Sequence, residues 1–162
     1  MVFKILSISH SWFEVDINRE FILVNSDFMG CDAPFLLLEA LGDLLENKTS
    51  EAWLCWQDEP GAYILKLEKQ DDRLIVQIYD TEKNYDSTNL DYSGITLREH
   101  VVNCLYEIKT DFTNAARNIL DEFALYENGN GRRRYYAHWG GFPQLPYQRV
   151  KNLLNSQARR PN

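Results

Sequence analysis

Polar and apolar positions alternate with a period of two near the start of the chain. Phe13, Val15 and Ile17 alternate with Glu14, Asp16 and Asn18, the pattern of a half-buried strand. Residues 3–9 and 12–25 are rich in β-branched and aromatic types. Phe21, Ile22, Leu23 and Val24 form a second short strand after a turn at Asn18-Arg19-Glu20, so the chain is expected to open with a β-hairpin.

The period then changes. Asp32 and Pro34 suit the N-cap and first turn of a helix over 34–47, with Leu37, Leu41, Leu44 and Leu45 at helical spacing. Phe35 and Leu38 widen its apolar stripe. Gly42 inside it is costly unless something packs closely there. Asn47 suits a left-handed stop. Period-two segments return at 51–57, 62–69 and 73–79, separated by Asp58-Glu59-Pro60-Gly61 and Gln70-Asp71-Asp72. Turns this short predict an antiparallel meander.

Residues 80–94 read as a long polar loop, and 96–127 as one long helix. Thr96 with Glu99 resembles a capping box, and Val101, Leu105, Ile108, Phe112, Ala115, Ile119, Phe123 and Tyr126 step by three or four. Gly129 and Gly131 are expected to stop that helix, with a short helix near 146–155. The resulting expectation is an α+β fold of order ββαβββα. Its antiparallel sheet, an N-terminal hairpin plus a three-stranded meander, packs against two helices. Residues 1–131 would form the domain, and 132–162 a basic aromatic C-terminal extension.

Charge sharpens this division. The chain has 162 residues and a net charge of −7. Residues 1–131 hold all 24 acids against ten basic residues, whereas 132–162 hold seven basic residues and no acid. The body therefore attracts basic partners and repels nucleic acid, and the extension does the reverse. No apolar stretch is long enough for a membrane span, and the N-terminus lacks a signal-peptide pattern, so a cytoplasmic protein is expected.

Chemistry-bearing residues are scattered. His10, His100 and His138 are isolated, and Cys31, Cys55 and Cys104 form no C-x-x-C pair, so neither metal nor cofactor is expected. Cys104 is expected in or near the core. No nucleophile motif is present, and Gly129-Asn130-Gly131 follows a predicted helix, the wrong side for a phosphate loop. No enzyme is predicted.

Two binding features stand out. The first is acidic: Asp80, Glu82, Asp86 and Asp91 share the long loop with Tyr85 and Tyr92, and Glu14 and Asp16 share one strand face. Carboxylates steer a basic partner while tyrosines supply contact area. The second is basic. Arg132, Arg133 and Arg134 suit phosphates, and Tyr135, Tyr136 and Trp139 suit base stacking. Packing roles compete with the second reading. The aromatics can dock on the acidic body with the arginines neutralising it, or the segment can act as a swapped arm holding a homodimer.

The helix Pro34-Phe35-Leu36-Leu37-Leu38-Glu39-Ala40-Leu41 precedes the aromatic strand and acidic turn Trp53-Leu54-Cys55-Trp56-Gln57-Asp58-Glu59-Pro60-Gly61-Ala62-Tyr63. Over about residues 10–80 this pattern resembles small bacterial immunity proteins of contact-dependent growth inhibition and polymorphic toxin systems. The resemblance implies a non-catalytic protein that binds and neutralises a cognate toxin domain, basic and nuclease-like, through an acidic surface. It carries over no catalytic residues. The alternative is a nucleic-acid-binding module built on the extension.

Overall fold

The computed structural model describes residues 1–25, 32–58, 61–81 and 94–158. The architecture is α+β, with two antiparallel sheets. The opening hairpin proves to be a three-stranded meander: β1 (Phe3–Ser9), β2 (Trp12–Ile17) and β3 (Glu20–Asn25). Both turns are tight and left-handed, with φ of 51° and 68° at His10 and Ser11 and of 53° and 79° at Asn18 and Arg19. Left-handed turns of this kind match the twist of the strands they join. The inward face carries Phe3, Ile5, Ile8, Phe13, Val15, Ile17, Ile22 and Val24, all buried.

Helix α1 (Ala33–Leu45) begins as its sequence predicts. The Asp32 side chain accepts the Phe35 N–H at 3.1 Å, and Pro34 sits in the first turn. Asn47 adopts φ 57° just beyond the helix end. The second sheet follows: β4 (Glu51–Asp58), β5 (Gly61–Gln70), β6 (Arg73–Thr81) and β7 (Val101–Asp111), in the order β4-β5-β6-β7. The predicted meander is therefore present, with a fourth strand added.

That strand overturns the long helix expected over 96–127. A short helix α2 (Gly94–Glu99), strand β7 and helix α3 (Phe112–Ala124) divide the segment. The helical seam is genuine only from Phe112 onward, where Phe112, Ala115, Ile119 and Phe123 are buried. Upstream, Val101, Leu105 and Ile108 fit a helical step by coincidence. Pairing with β6 selects the extended form, placing Ile108 opposite Val76 and Tyr106 opposite Ile78. The β-branched and aromatic content of 101–110 favours a strand, and its register with a ready-made neighbour decides the matter. Asp111 then ends the strand and starts α3, accepting the Asn114 N–H at 2.8 Å. Cys104, expected near the core, is exposed on β7, while Cys55 is buried.

The C-terminal region is also more helical than expected. Gly129–His138 forms α4 and Gln144–Ala158 forms α5. Gly129-Asn130-Gly131 thus opens a helix, contrary to the expected stop. Gly131 is required there, because a Cβ would lie 2.0 Å from the Leu125 carbonyl oxygen. The element order is βββαβββαβααα, which corrects both the expected order and the expected packing of one sheet on two helices. Residues of α1, α3, α4 and α5 share one core with the inner faces of both sheets, including Tyr135, Phe142, Tyr147, Val150 and Leu154 from beyond position 131. The opposite face of the second sheet has a smaller cluster, where Leu97 of α2 meets Cys55, Ala62 and Ile64. Among the described residues no helix is long and apolar enough to cross a membrane.

Candidate functional site

Strand β2 decides where the acidic residues go. Because side chains alternate across a strand, burial of Phe13, Val15 and Ile17 forces Trp12, Glu14 and Asp16 onto the outward face. Register then sets their neighbours. Glu14 stands between Ser7 of β1 and Leu23 of β3, and Asp16 stands between Lys4 and Phe21. The Ser7 hydroxyl donates to Glu14 Oε2 at 3.0 Å, and the Arg19 backbone N–H donates to Asp16 Oδ1 at 2.5 Å. Phe21 is 67% exposed, Leu23 40% and Leu6 41%. The face thus carries two carboxylates on its central strand, edged by uncovered apolar side chains. Scattered apolar exposure is ordinary, but Phe21 and Leu23 flank the two carboxylates directly.

Asp80 lies apart from this pair. It is exposed on β6 opposite Tyr63, and its Oδ1 accepts the Thr81 N–H at 2.9 Å. Glu82, Tyr85, Asp86, Asp91 and Tyr92 lie outside the described residues.

The basic aromatic segment is divided between core and surface. Tyr135 is buried, meeting Tyr126 and Phe142 edge-on at 6.0 and 5.3 Å, and burial pushes its hydroxyl pKa up. Trp139 packs on Phe13 and donates its indole N–H to Asp32 Oδ1 at 3.2 Å. Asp32 therefore serves both the start of α1 and the end of α4. The Arg132 guanidinium lies 4.8 Å from the Phe142 ring centroid and donates to Gln144 at 2.7 Å and to the Glu127 carbonyl at 3.2 Å. Arg133, Arg134 and Tyr136 remain exposed.

Further along, Arg149 of α5 crosses to α1. It donates to Glu39 at 2.9 Å, to Asp43 at 2.5 Å and to both carboxylate oxygens of Glu46 at 3.1 and 3.0 Å. Hydrogen bonds from Arg149, and then from Lys48, pull the Glu46 carboxyl down to about 2. Lys151 similarly holds the Glu127 carboxyl below its usual range, with help from Tyr147. The sequence reading missed Arg149. A signal existed: Glu39, Asp43 and Glu46 lie around Gly42 on one helix, a negative ring with room for a cation at its centre.

Two consequences follow. The extension's cations neutralise acids of α1 and of the segment after α3. Glu14 and Asp16, by contrast, take part in no ion pair among the described residues. The distinctive aromatics of β4 serve packing: Trp56 is buried, and Trp53 stacks on Tyr79 at 5.8 Å with Lys66 and Arg98 against its ring. No family model, curated protein or solved structure matches this chain.

Proposed function

We propose that the protein is a non-catalytic immunity protein of bacterial cytoplasm, which binds and neutralises a cognate toxin domain through an acidic surface. The observation that carries the reading is the outward face of β1–β3. There Glu14 and Asp16 form no ion pair among the described residues and lie beside the exposed side chains of Phe21 and Leu23. Such a surface suits a basic protein. The carboxylates accelerate encounter and set orientation, while Phe21 and Leu23 supply the area that becomes dry on binding. The likeness of the Pro34–Leu41 helix and the Trp53–Tyr63 strand to immunity proteins gives the partner its class. Asp80, Glu82, Tyr85, Asp86, Asp91 and Tyr92 stay, on their sequence alone, a second set of contact residues in this proposal.

The test is co-expression with the product of a toxin gene encoded beside this one, read as host survival and as co-purification. Protection that weakens with Glu14→Lys and Phe21→Ala, in a protein that stays folded, is the expected result. No protection and no complex with that product would remove the reading.

A further inference from the structure

A cleft of about 530 Å³ opens at the β2–β3 turn, lined by Val2, Lys4, Asp16, Asn18, Arg19 and Tyr106. We propose that it binds a hydroxyl-bearing phosphate monoester of small-metabolite size. The cleft shares Asp16 with the proposed toxin-binding face, but the inference does not rest on that reading.

Three features carry it. First, two cations line the cleft. Neither the Lys4 ammonium nor the Arg19 guanidinium makes a side-chain hydrogen bond or ion pair among the described residues, although the protein as a whole is acidic. Second, the wall is built. Asn18 Oδ1 accepts the Val2 N–H at 2.6 Å, which orients its amide, and Asn18 Nδ2 donates to Tyr106 Oη at 3.1 Å. The Tyr106 hydroxyl is an acceptor in that bond, so its own hydrogen is left to donate to an oxyanion. Third, a tight left-handed turn holds Arg19 beside Asp16 at the cleft. Arg19 adopts φ 79° at the second central position of a two-residue turn, where glycine is strongly favoured.

The three donors account for a phosphoryl group, with the guanidinium offering paired N–H groups that match two of its oxygens. Asp16 decides the rest of the ligand. Its Oδ1 is occupied by the Arg19 N–H, leaving Oδ2 to accept a hydroxyl. The volume falls in the range of roughly 300–1,000 Å³ typical of small-molecule sites.

Calorimetric titration at constant ionic strength would use ribose 5-phosphate, inorganic phosphate and a single-stranded oligonucleotide as probes. Saturable binding of ribose 5-phosphate, tighter than inorganic phosphate, is expected. Arg19→Gly should weaken it about tenfold or more, the loss of one charge-assisted contact. Glycine fits the left-handed turn, so this variant should melt no lower than the wild type, which separates lost binding from lost folding. Tyr106→Phe should weaken binding as well. No saturable response to ribose 5-phosphate up to about 10 mM would overturn the proposal. So would undiminished binding by Arg19→Gly, or a response to the oligonucleotide alone.

Discussion

The Arg149 guanidinium lies against Gly42, so that a Cβ built on Gly42 would stand 2.9 Å from the guanidinium carbon and one of its nitrogens. A glycine that weakens α1 locally thus makes room for the cation that ties α5 to α1. Alanine normally gains about 1 kcal/mol over glycine inside a helix. Here Gly42→Ala should gain that amount only where Arg149 has already been replaced by Ala. With Arg149 present, the added methyl displaces a guanidinium held by three carboxylates, offsetting the gain. A double-mutant cycle by urea denaturation should give a coupling of about 1 kcal/mol or more, and simple additivity would show the contact to be slack.

The same cluster predicts acid behaviour. A carboxyl whose folded pKa is depressed contributes stability above its unfolded pKa and loses it as pH falls through the folded value. Glu46 is lowered from 4.5 to about 2, so its contribution should be intact at neutral pH and fade between about 4.5 and 2. NMR titration of the Glu46 side chain should show the depressed midpoint. Arg149→Gln should raise it toward the ordinary carboxylate range and flatten stability across that window.

Helix α3 covers the free edge of β1. Asn118 Oδ1 accepts the Phe3 N–H at 2.7 Å, and one helical turn later Glu122 Oε2 accepts the Ile5 N–H at 3.0 Å. Two side chains spaced four apart on a helix thus match two N–H groups spaced two apart on a strand. Asn118→Ala should cost about 1–3 kcal/mol by leaving a strand donor unpaired. Hydrogen exchange at Phe3 should accelerate well beyond the change in global stability. An unchanged Phe3 rate would mean that water replaces the amide without loss.

Asp32 joins the start of α1 to the end of α4 by accepting from Phe35 N–H and from the Trp139 indole. Asp32→Ala removes a cap and a tertiary acceptor together, and should cost about 2–3 kcal/mol against about 1 for an ordinary cap. Asp32→Asn keeps an acceptor oxygen and should lose less. Denaturation followed through tryptophan fluorescence measures both, and equal losses would show that the charge, not the oxygen's position, is what Asp32 contributes.

Cysteine labelling tests the strand assignment of 101–111. In a Cys31→Ser background, Cys104 should react with an aromatic disulfide reagent in the folded protein, while Cys55 should react only on unfolding. Protection of Cys104 would restore the buried position that a helical reading implies.

Much of the chain was legible without coordinates because local signals and tertiary demands agree. The Asp32 cap, the Asn47 stop and the three strands after α1 each follow from a pattern shorter than ten residues, and burial on one face is all their neighbours require. The carboxylates of Glu14 and Asp16 could be placed on one face for the same reason, since parity along a strand is a local property. What flanks them was not legible, because Phe21 and Leu23 arrive only through the register of β3.

Elsewhere the local pattern permits two answers, and long-range contact chooses. Residues 101–111 fit a helical step and a strand alike, and the edge of β6 provides the hydrogen-bonding partner that makes them a strand. The sign of the extension's charge was plain in its composition, but composition says nothing about distance. Only folding brings Arg149 to Glu39, Asp43 and Glu46, and buries Tyr135 where a stacking surface was expected. Periodicity and capping therefore determined the pieces, which depend on neighbours along the chain. Tertiary structure determined which charges remain exposed, because that depends on residues more than a hundred positions away.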